Sequence, residues 1–247
     1  MLELDLWLEI AKSAALEGGN YLLQNQRKEL KVLMDSGRDI KLQLDTDTEK
    51  LIKESLSLQS SFSILGEETG LSNNLGEFYW VVDPLDGTSN FLRDIPISCV
   101  SIALMQDVTP ILGVIYDFNH DDLYFGHQNS KAFLNQNEIT VSDYSKKNQS
   151  TLVTGIPAKT HYSDEEFKNM INDFQDWKKV RMIGSAAMAA IYVAAGKAET
   201  YKENGIFLWD IAAGAAIVEA AGGVASIKNI QADYRVDAIF TNQHLAN

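Results

Sequence analysis

Residues 78–91 read Phe-Tyr-Trp-Val-Val-Asp-Pro-Leu-Asp-Gly-Thr-Ser-Asn-Phe. The aromatic and β-branched run from Phe78 to Val82 has the composition of a strand entering a core. It stops at Asp83, followed by Pro84, a second carboxylate at Asp86, then Gly87 and Thr88. Burying an unpaired carboxylate is costly, so acids this close together on a Pro/Gly-punctuated turn are solvated, hydrogen-bonded or holding cations. Hard oxygen ligands at a strand end suit Mg²⁺, and Gly87 lets the backbone turn closely beneath a bound anion. Alone, such a turn is more often an Asp-rich surface feature. Three further segments supply the rest of a site.

Leu65-Gly66-Glu67-Glu68 places two acids just past a short strand pattern at 62–65. Trp209-Asp210 opens a helical stretch, Ile211 to Ala221, that closes with Gly222-Gly223, although Asp210 there also fits a plain N-cap. Leu42 to Ile52 leads into another helix, for which Asp45 or Asp47 serves as the cap.

Taken together, Gly66-Glu-Glu68, Asp83-Pro-Leu-Asp-Gly-Thr-Ser-Asn-Phe91 and Trp209-Asp-Ile-Ala-Ala-Gly214 with Glu219-Ala-Ala-Gly-Gly223 resemble, in order and spacing, the inositol monophosphatase family of Mg²⁺-dependent, Li⁺-sensitive phosphatases. The resemblance runs from the first helix to near the C-terminus. It implies an α/β fold, a layered α-β-α-β-α sandwich of the sugar-phosphatase type with the site between two lobes. Residues 1–140 would form the lobe carrying most metal ligands, and 141–247 the lobe carrying Asp210 and the substrate-side residues. A homodimer is implied as well.

The same resemblance implies Mg²⁺ as cofactor, two ions and a weaker third near Glu67. Glu67, Asp83 and the Leu85 carbonyl would hold one ion; Asp83, Asp86 and Asp210 would hold another, with Asp83 bridging as in a two-metal phosphoryl-transfer clamp. Water would be the nucleophile, with no covalent intermediate. Thr88 would position it, polarised by Asp45, which the family pattern of an acid, three residues, then Glu49-Lys-Leu-Ile52 selects over Asp47. Asp47 would be an exposed acid at the helix start. The amides of Gly87 and Thr88, beside Asp86, would hold the phosphate through backbone dipoles. Glu203 and the Ala186 amide would contact substrate hydroxyls, although Glu203 in Lys202-Glu203-Asn204 also reads as a solvated acid.

The substrate side departs from the animal enzymes of the family. Phe207 stands where those carry His, and Gly155-Ile156-Pro157-Ala158 replaces a Ser-bearing loop. The expected activity is hydrolysis of a small polyol or sugar phosphate, with inositol monophosphate the default. Alternatives are 3′-phosphoadenosine 5′-phosphate, fructose 1,6-bisphosphate, histidinol phosphate and NADP, because fold and metal site do not choose among them. Ser89-Asn90-Phe91 argues against the nucleotidase, whose relatives carry Lys-Glu-Phe there. A reading of a different class is a regulatory protein that uses the fold to bind partners.

Composition limits the field. With 247 residues, 45% hydrophobic and 22% charged, the chain has ample core for one large domain or two packed lobes. A net charge of −13 argues against nucleic-acid and anionic-membrane surfaces. The single Cys99 excludes an intrachain disulfide, fits a reducing compartment, and lies in a strand pattern where a buried thiol is expected. Acidic residues near the start and the lack of a long apolar run argue against a signal peptide and a membrane span, leaving the cytoplasm as the default. The four His are scattered without metal-ligand spacing.

Pattern reading places helices at 3–26, 46–58, 163–176, 186–195 and 211–221. Strands are expected at 62–65, 78–83, 97–106, 111–117, 123–125, 151–154, 180–183, 198–202, 224–227 and 238–241. Residues 28–44 and 131–150 read as polar connections. Gly18-Gly19 inside the first helix marks a weak point or the close approach of another backbone. Trp209 is expected to pack and fix the start of its helix.

Overall fold

The first helix, α1 (Leu4–Asn25), buries Leu4, Leu8, Ala11, Ala15 and Leu22, the stripe its 3.6-residue period lays on one side. The structure, a computed structural model, describes residues 4–26, 28, 30–36, 39–157 and 161–246. Gly18 and Gly19 are sites of close approach, but to side chains rather than to backbone. A Cβ at Gly18 would lie 2.8 Å from Ile52 Cδ1, and one at Gly19 would lie 2.4 Å from Tyr116 Cδ1. Ile52 belongs to α2 (Gln43–Ser57), so the two helices lock together through that notch.

Two sheets follow. The first contains β3 (Ser63–Gly66), β4 (Gly70–Leu71), β5 (Phe78–Asp86), β6 (Cys99–Gln106), β7 (Thr109–Asp117), β8 (Asp122–His127), β9 (Ala132–Leu134) and β10 (Asn137–Ile139), in the order β10-β9-β8-β7-β6-β5-β3-β4. The second contains β11 (Thr151–Thr154), β12 (Lys179–Met182), β13 (Thr200–Phe207), β14 (Val224–Lys228) and β15 (Arg235–Thr241), in the order β12-β11-β13-β15-β14. A separate hairpin joins β1 (Val32–Ser36) to β2 (Asp39–Leu42).

Helices α1 and α2 cover the outer face of the first sheet. Between the sheets lie α5 (Ala186–Ala194) and α6 (Leu208–Ala220), each touching strands of both. Helix α4 (Asp164–Gln175) joins the second sheet through its Asp173, which pairs with Lys202 of β13. The result is the α-β-α-β-α sandwich expected. A helix apolar all round must be buried on all sides, and α5 buries every residue except Tyr192. Small side chains let α6 sit almost on the sheet: a Cβ on Gly113 of β7 would come 2.1 Å from the Ala213 carbonyl oxygen. No described helix is long and apolar enough to cross a membrane.

Several boundaries differ from the pattern reading. β5 does not stop at Asp83 but continues through Pro84 to Asp86, with an irregularity in its pairing to β6 between Asp83 and Asp86. Pro lacks the ladder donor, and the Leu85 N–H turns to Asp83 Oδ1 at 3.0 Å, so the strand survives as a bulge. The polar segments 28–44 and 131–150 contain the hairpins β1–β2 and β9–β10, whose strands of three to five residues are too short to show a period. A four-residue helix, α3 (Thr88–Phe91), was also not anticipated. Asp210 is no N-cap; it is the third residue of α6, because β13 runs on to Phe207 and the helix begins directly after it. Asp45 likewise lies in the first turn of α2, not at its cap, and Asp47 is exposed as expected.

Candidate active site

Strands β3 and β5 run parallel with Gly66 beside Val82, and the Glu67 N–H donates to the Val82 carbonyl at 3.2 Å. That register sets Glu67 next to Asp83, the following residue of β5. Asp210 arrives from the first turn of α6, between the sheets. One carboxylate oxygen from each of Glu67, Asp83 and Asp210 lies within 4.8 Å of the other two. No Lys or Arg of the described residues forms an ion pair with any of these three.

Burial and mutual repulsion dominate this cluster. Burial, then the neighbouring Glu67, holds the Asp83 carboxyl well above the usual carboxylate range. The same two causes raise Asp210. Burial and the adjacent Glu68 push Glu67 up to about 8. Acids held together this way relax only by keeping protons or by sharing a cation. An all-oxygen donor set of this kind fits a hard divalent ion such as Mg²⁺.

Asp86 is engaged elsewhere. Its Oδ2 accepts the Ser185 hydroxyl at 2.5 Å and the Ala187 N–H at 2.7 Å, at the start of α5. Burial pushes its carboxyl up to about 6, and those bonds hold it from rising further. The Thr88 hydroxyl donates to the Leu85 carbonyl at 3.1 Å. No hydrogen bond joins it to Asp45, the expected partner. Asp45 instead accepts the Leu42 N–H on Oδ2 at 2.9 Å, while its buried Oδ1 has no partner. Burial pushes Asp45 up to about 7.

A cavity of about 270 Å³ opens over these groups. Glu67, Asp86, Gly87 and Thr88 line one side; Gly155, Ser185, Ala186 and Glu203 line the other. Ile40 of the β1–β2 hairpin closes part of the rim. Gly87 is required where it stands, with φ +88° and a Cβ position 2.7 Å from the Ile97 carbonyl oxygen. Glu203 is not a solvated acid: it is 8% exposed, and burial with nearby Asp86 pushes it up to about 8. Gly155 faces it so closely that a Cβ there would lie 2.4 Å from Glu203 Oε1. Ala158, the last residue of the loop singled out in the sequence, lies outside the described residues.

Phe207 stacks on Trp209 at 4.7 Å between ring centroids, which fixes the strand-to-helix junction beside Asp210. Beside Glu203 and Gly155 lies a second cavity of about 210 Å³, lined by Leu152 of β11 and by Met170 and Phe174 of α4. His120 and His127 each meet an acid away from the cluster, Asp117 and Asp5. Sequence reading missed Ser185 and the burial of Glu49. A faint signal for Glu49 was present, since Asp45 and Glu49 sit four residues apart and share a helix face.

Comparison with known proteins agrees with this geometry. A model described as the inositol monophosphatase family matches residues 3–239. The chain is 38% identical over 220 residues to the Nus factor SuhB of Xylella fastidiosa, covering 87% of this chain and 80% of that protein. It is 33% identical over 231 residues to a fructose-1,6-bisphosphatase/inositol-1-monophosphatase of Aquifex aeolicus, covering 92% and 88%. The solved inositol monophosphatase of Anabaena superposes with a TM-score of 0.83 at 33% identity, covering 98% of this chain and 92% of that one.

Proposed function

Because the chain belongs to the inositol monophosphatase family and is with it a phosphoric monoester hydrolase, we propose that it hydrolyses a small polyol or sugar phosphate with Mg²⁺, inositol monophosphate being the default. The observation that carries this reading is the meeting of Glu67, Asp83 and Asp210 within 4.8 Å at the edge of a cavity whose wall includes Gly87 and Thr88. When bound, Mg²⁺ would supply an activated water and a charge to stabilise the leaving oxygen.

The protein's own groups do the rest. Glu67, Asp83 and Asp210 present the oxygen ligands, joined by the Leu85 carbonyl and by the Asp86 oxygen not engaged by α5. The amides of Gly87 and Thr88, which line the cavity, would hold the phosphate, where fixed dipoles act without reorganisation. Asp45 keeps a free buried oxygen; once the Thr88 hydroxyl turns from Leu85, that oxygen would take the hydroxyl proton as Thr88 Oγ takes one from the attacking water, so that the water's proton ends on Asp45. Glu203 and the Ala186 amide orient the substrate hydroxyls. The homodimer implied by the resemblance belongs to the same proposal, and light scattering in solution tests it.

The test is Mg²⁺-dependent phosphate release from inositol 1-phosphate, fructose 1,6-bisphosphate, 3′-phosphoadenosine 5′-phosphate, histidinol phosphate and NADP. Preference for inositol 1-phosphate supports the default. The second cavity favours one further reading, a larger ester whose leaving group passes Glu203 and rests on Met170 and Phe174. Preference for the nucleotide or NADP would select that reading. Mg²⁺ binding with no turnover of any substrate would move the weight to a partner-binding role.

A further inference from the structure

Glu49 carries no role in the reading above, yet its carboxylate is fully buried and heavily engaged. Oε2 accepts the Glu68 N–H at 2.7 Å; Oε1 accepts the Thr69 N–H at 3.0 Å and the Thr69 hydroxyl at 2.5 Å. Lys53, one turn further along α2, lies 3.1 Å from the same Oε1 and also donates to the Gly70 carbonyl at 3.0 Å. Gly66 leaves room for this arrangement, since a Cβ there would sit 2.4 Å from Glu49 Cδ. Burying a charge is tolerable only when it is paired and hydrogen-bonded, and here every donor comes from one turn or from Lys53.

That turn begins with Glu67. On its N-terminal side Glu67 is tied to β5 through the Val82 carbonyl. On its C-terminal side the next two amides donate to Glu49, in a turn also closed by the Gly66–Gly70 pairing of β3 with β4. We propose that Glu49 is the positioning residue for Glu67: by clamping the amides of Glu68 and Thr69 it fixes the turn that aims the Glu67 carboxylate at Asp83 and Asp210, and so sets the affinity of the cluster for a divalent cation. This rests on reading the cluster as a Mg²⁺ site. Glutamine at position 49 would keep the volume but present an N–H₂ group to donors that need an acceptor.

The experiment is calorimetric titration of Mg²⁺ into protein stripped with a chelator, for wild type, Glu49→Gln and Leu56→Ala. Leu56 is a fully buried residue of the same helix and serves as a destabilised control that leaves the turn untouched. Glu49→Gln should weaken Mg²⁺ binding by about tenfold or more, the size typical of removing an outer-shell partner. Phosphate release at saturating Mg²⁺ should then recover to within about threefold, a loss no larger than one ordinary hydrogen bond. Leu56→Ala should lower the melting temperature and leave the Mg²⁺ affinity alone.

Unchanged affinity in Glu49→Gln, or an equal loss in Leu56→Ala, would overturn the assignment while sparing the site. Absence of Mg²⁺ binding in wild type would overturn the site reading and this inference together. Should Glu49→Gln fail to fold, Thr69→Val removes the hydroxyl bond to Glu49 together with the one it accepts from Lys53, and should weaken Mg²⁺ binding by about threefold. No change there would equally overturn the proposal.

Discussion

Asp45 and Asp210 occupy the same position in their helices: each is the third residue, and its Oδ2 accepts the N–H three residues back, from Leu42 at 2.9 Å and from Phe207 at 3.2 Å. The bond settles an orphan amide at each helix start and locks the carboxylate's rotamer, leaving the other oxygen available for chemistry. Asp210 uses this to join Glu67 and Asp83, whereas Asp45 stays outside the cluster of three.

Asp210→Asn should retain the helix-start bond, because the amide oxygen can still accept from Phe207, but lose a charged ligand. Phosphate release should fall by about a hundredfold or more at cellular Mg²⁺. Without metal the variant should melt no lower than wild type, since one buried charge has been removed. Near-normal turnover would contradict the site as drawn.

Stability should depend on pH in a metal-dependent way. Burial raises Asp45 to about 7 and Glu67 and Glu203 to about 8. An acid whose folded pKa exceeds its unfolded value binds more protons when folded, so stability falls as pH rises. The contribution is complete below the unfolded carboxylate range, about pH 4, and is lost as pH climbs through 7 to 8. Melting temperatures in chelator should therefore decline from pH 5 to pH 8, and saturating Mg²⁺ should flatten that decline. Parallel curves with and without Mg²⁺ would count against the cluster as a cation site.

Ser185 donates to Asp86 and its Oγ accepts the Met188 N–H at 3.2 Å, capping α5. Ser185→Ala removes both bonds and should cost about 1–2 kcal/mol in urea unfolding. Asp86, freed from one partner, should bind Mg²⁺ more weakly, read as a raised Mg²⁺ requirement for turnover.

Glu203→Gln should change the relative rates among polyol phosphates and leave Mg²⁺ activation much as it was. An unaltered preference would remove Glu203 from the substrate wall.

Gly113→Ala tests the layer contact. Its methyl would meet the Ala213 carbonyl at 2.1 Å, so α6 must shift. Overpacking of this kind costs about 1–3 kcal/mol. Because α6 carries Asp210, the variant should lose Mg²⁺ affinity together with stability.

Much of the architecture was legible locally. The α1 stripe, the all-apolar α5 and the mostly apolar α6 follow from residue spacing, because burial selects one face or nearly every face of a helix. The hairpins β1–β2 and β9–β10 were not legible, because strands this short carry too few residues to show alternation. Pro84 misled the reading of β5, since a bulge can absorb a residue that an uninterrupted ladder rejects.

The sequence by itself determined the family, the layered fold and the acids placed at a strand end and at a helix start. Only the tertiary structure decided which of those acids meet. Asp86 and Ala187 are bonded across 101 residues of chain, and Glu67 reaches Asp83 only through the β3–β5 register. The reason is physical: side-chain spacing reports which face of an element is buried, whereas a carboxylate's neighbours depend on how separate elements pack against each other.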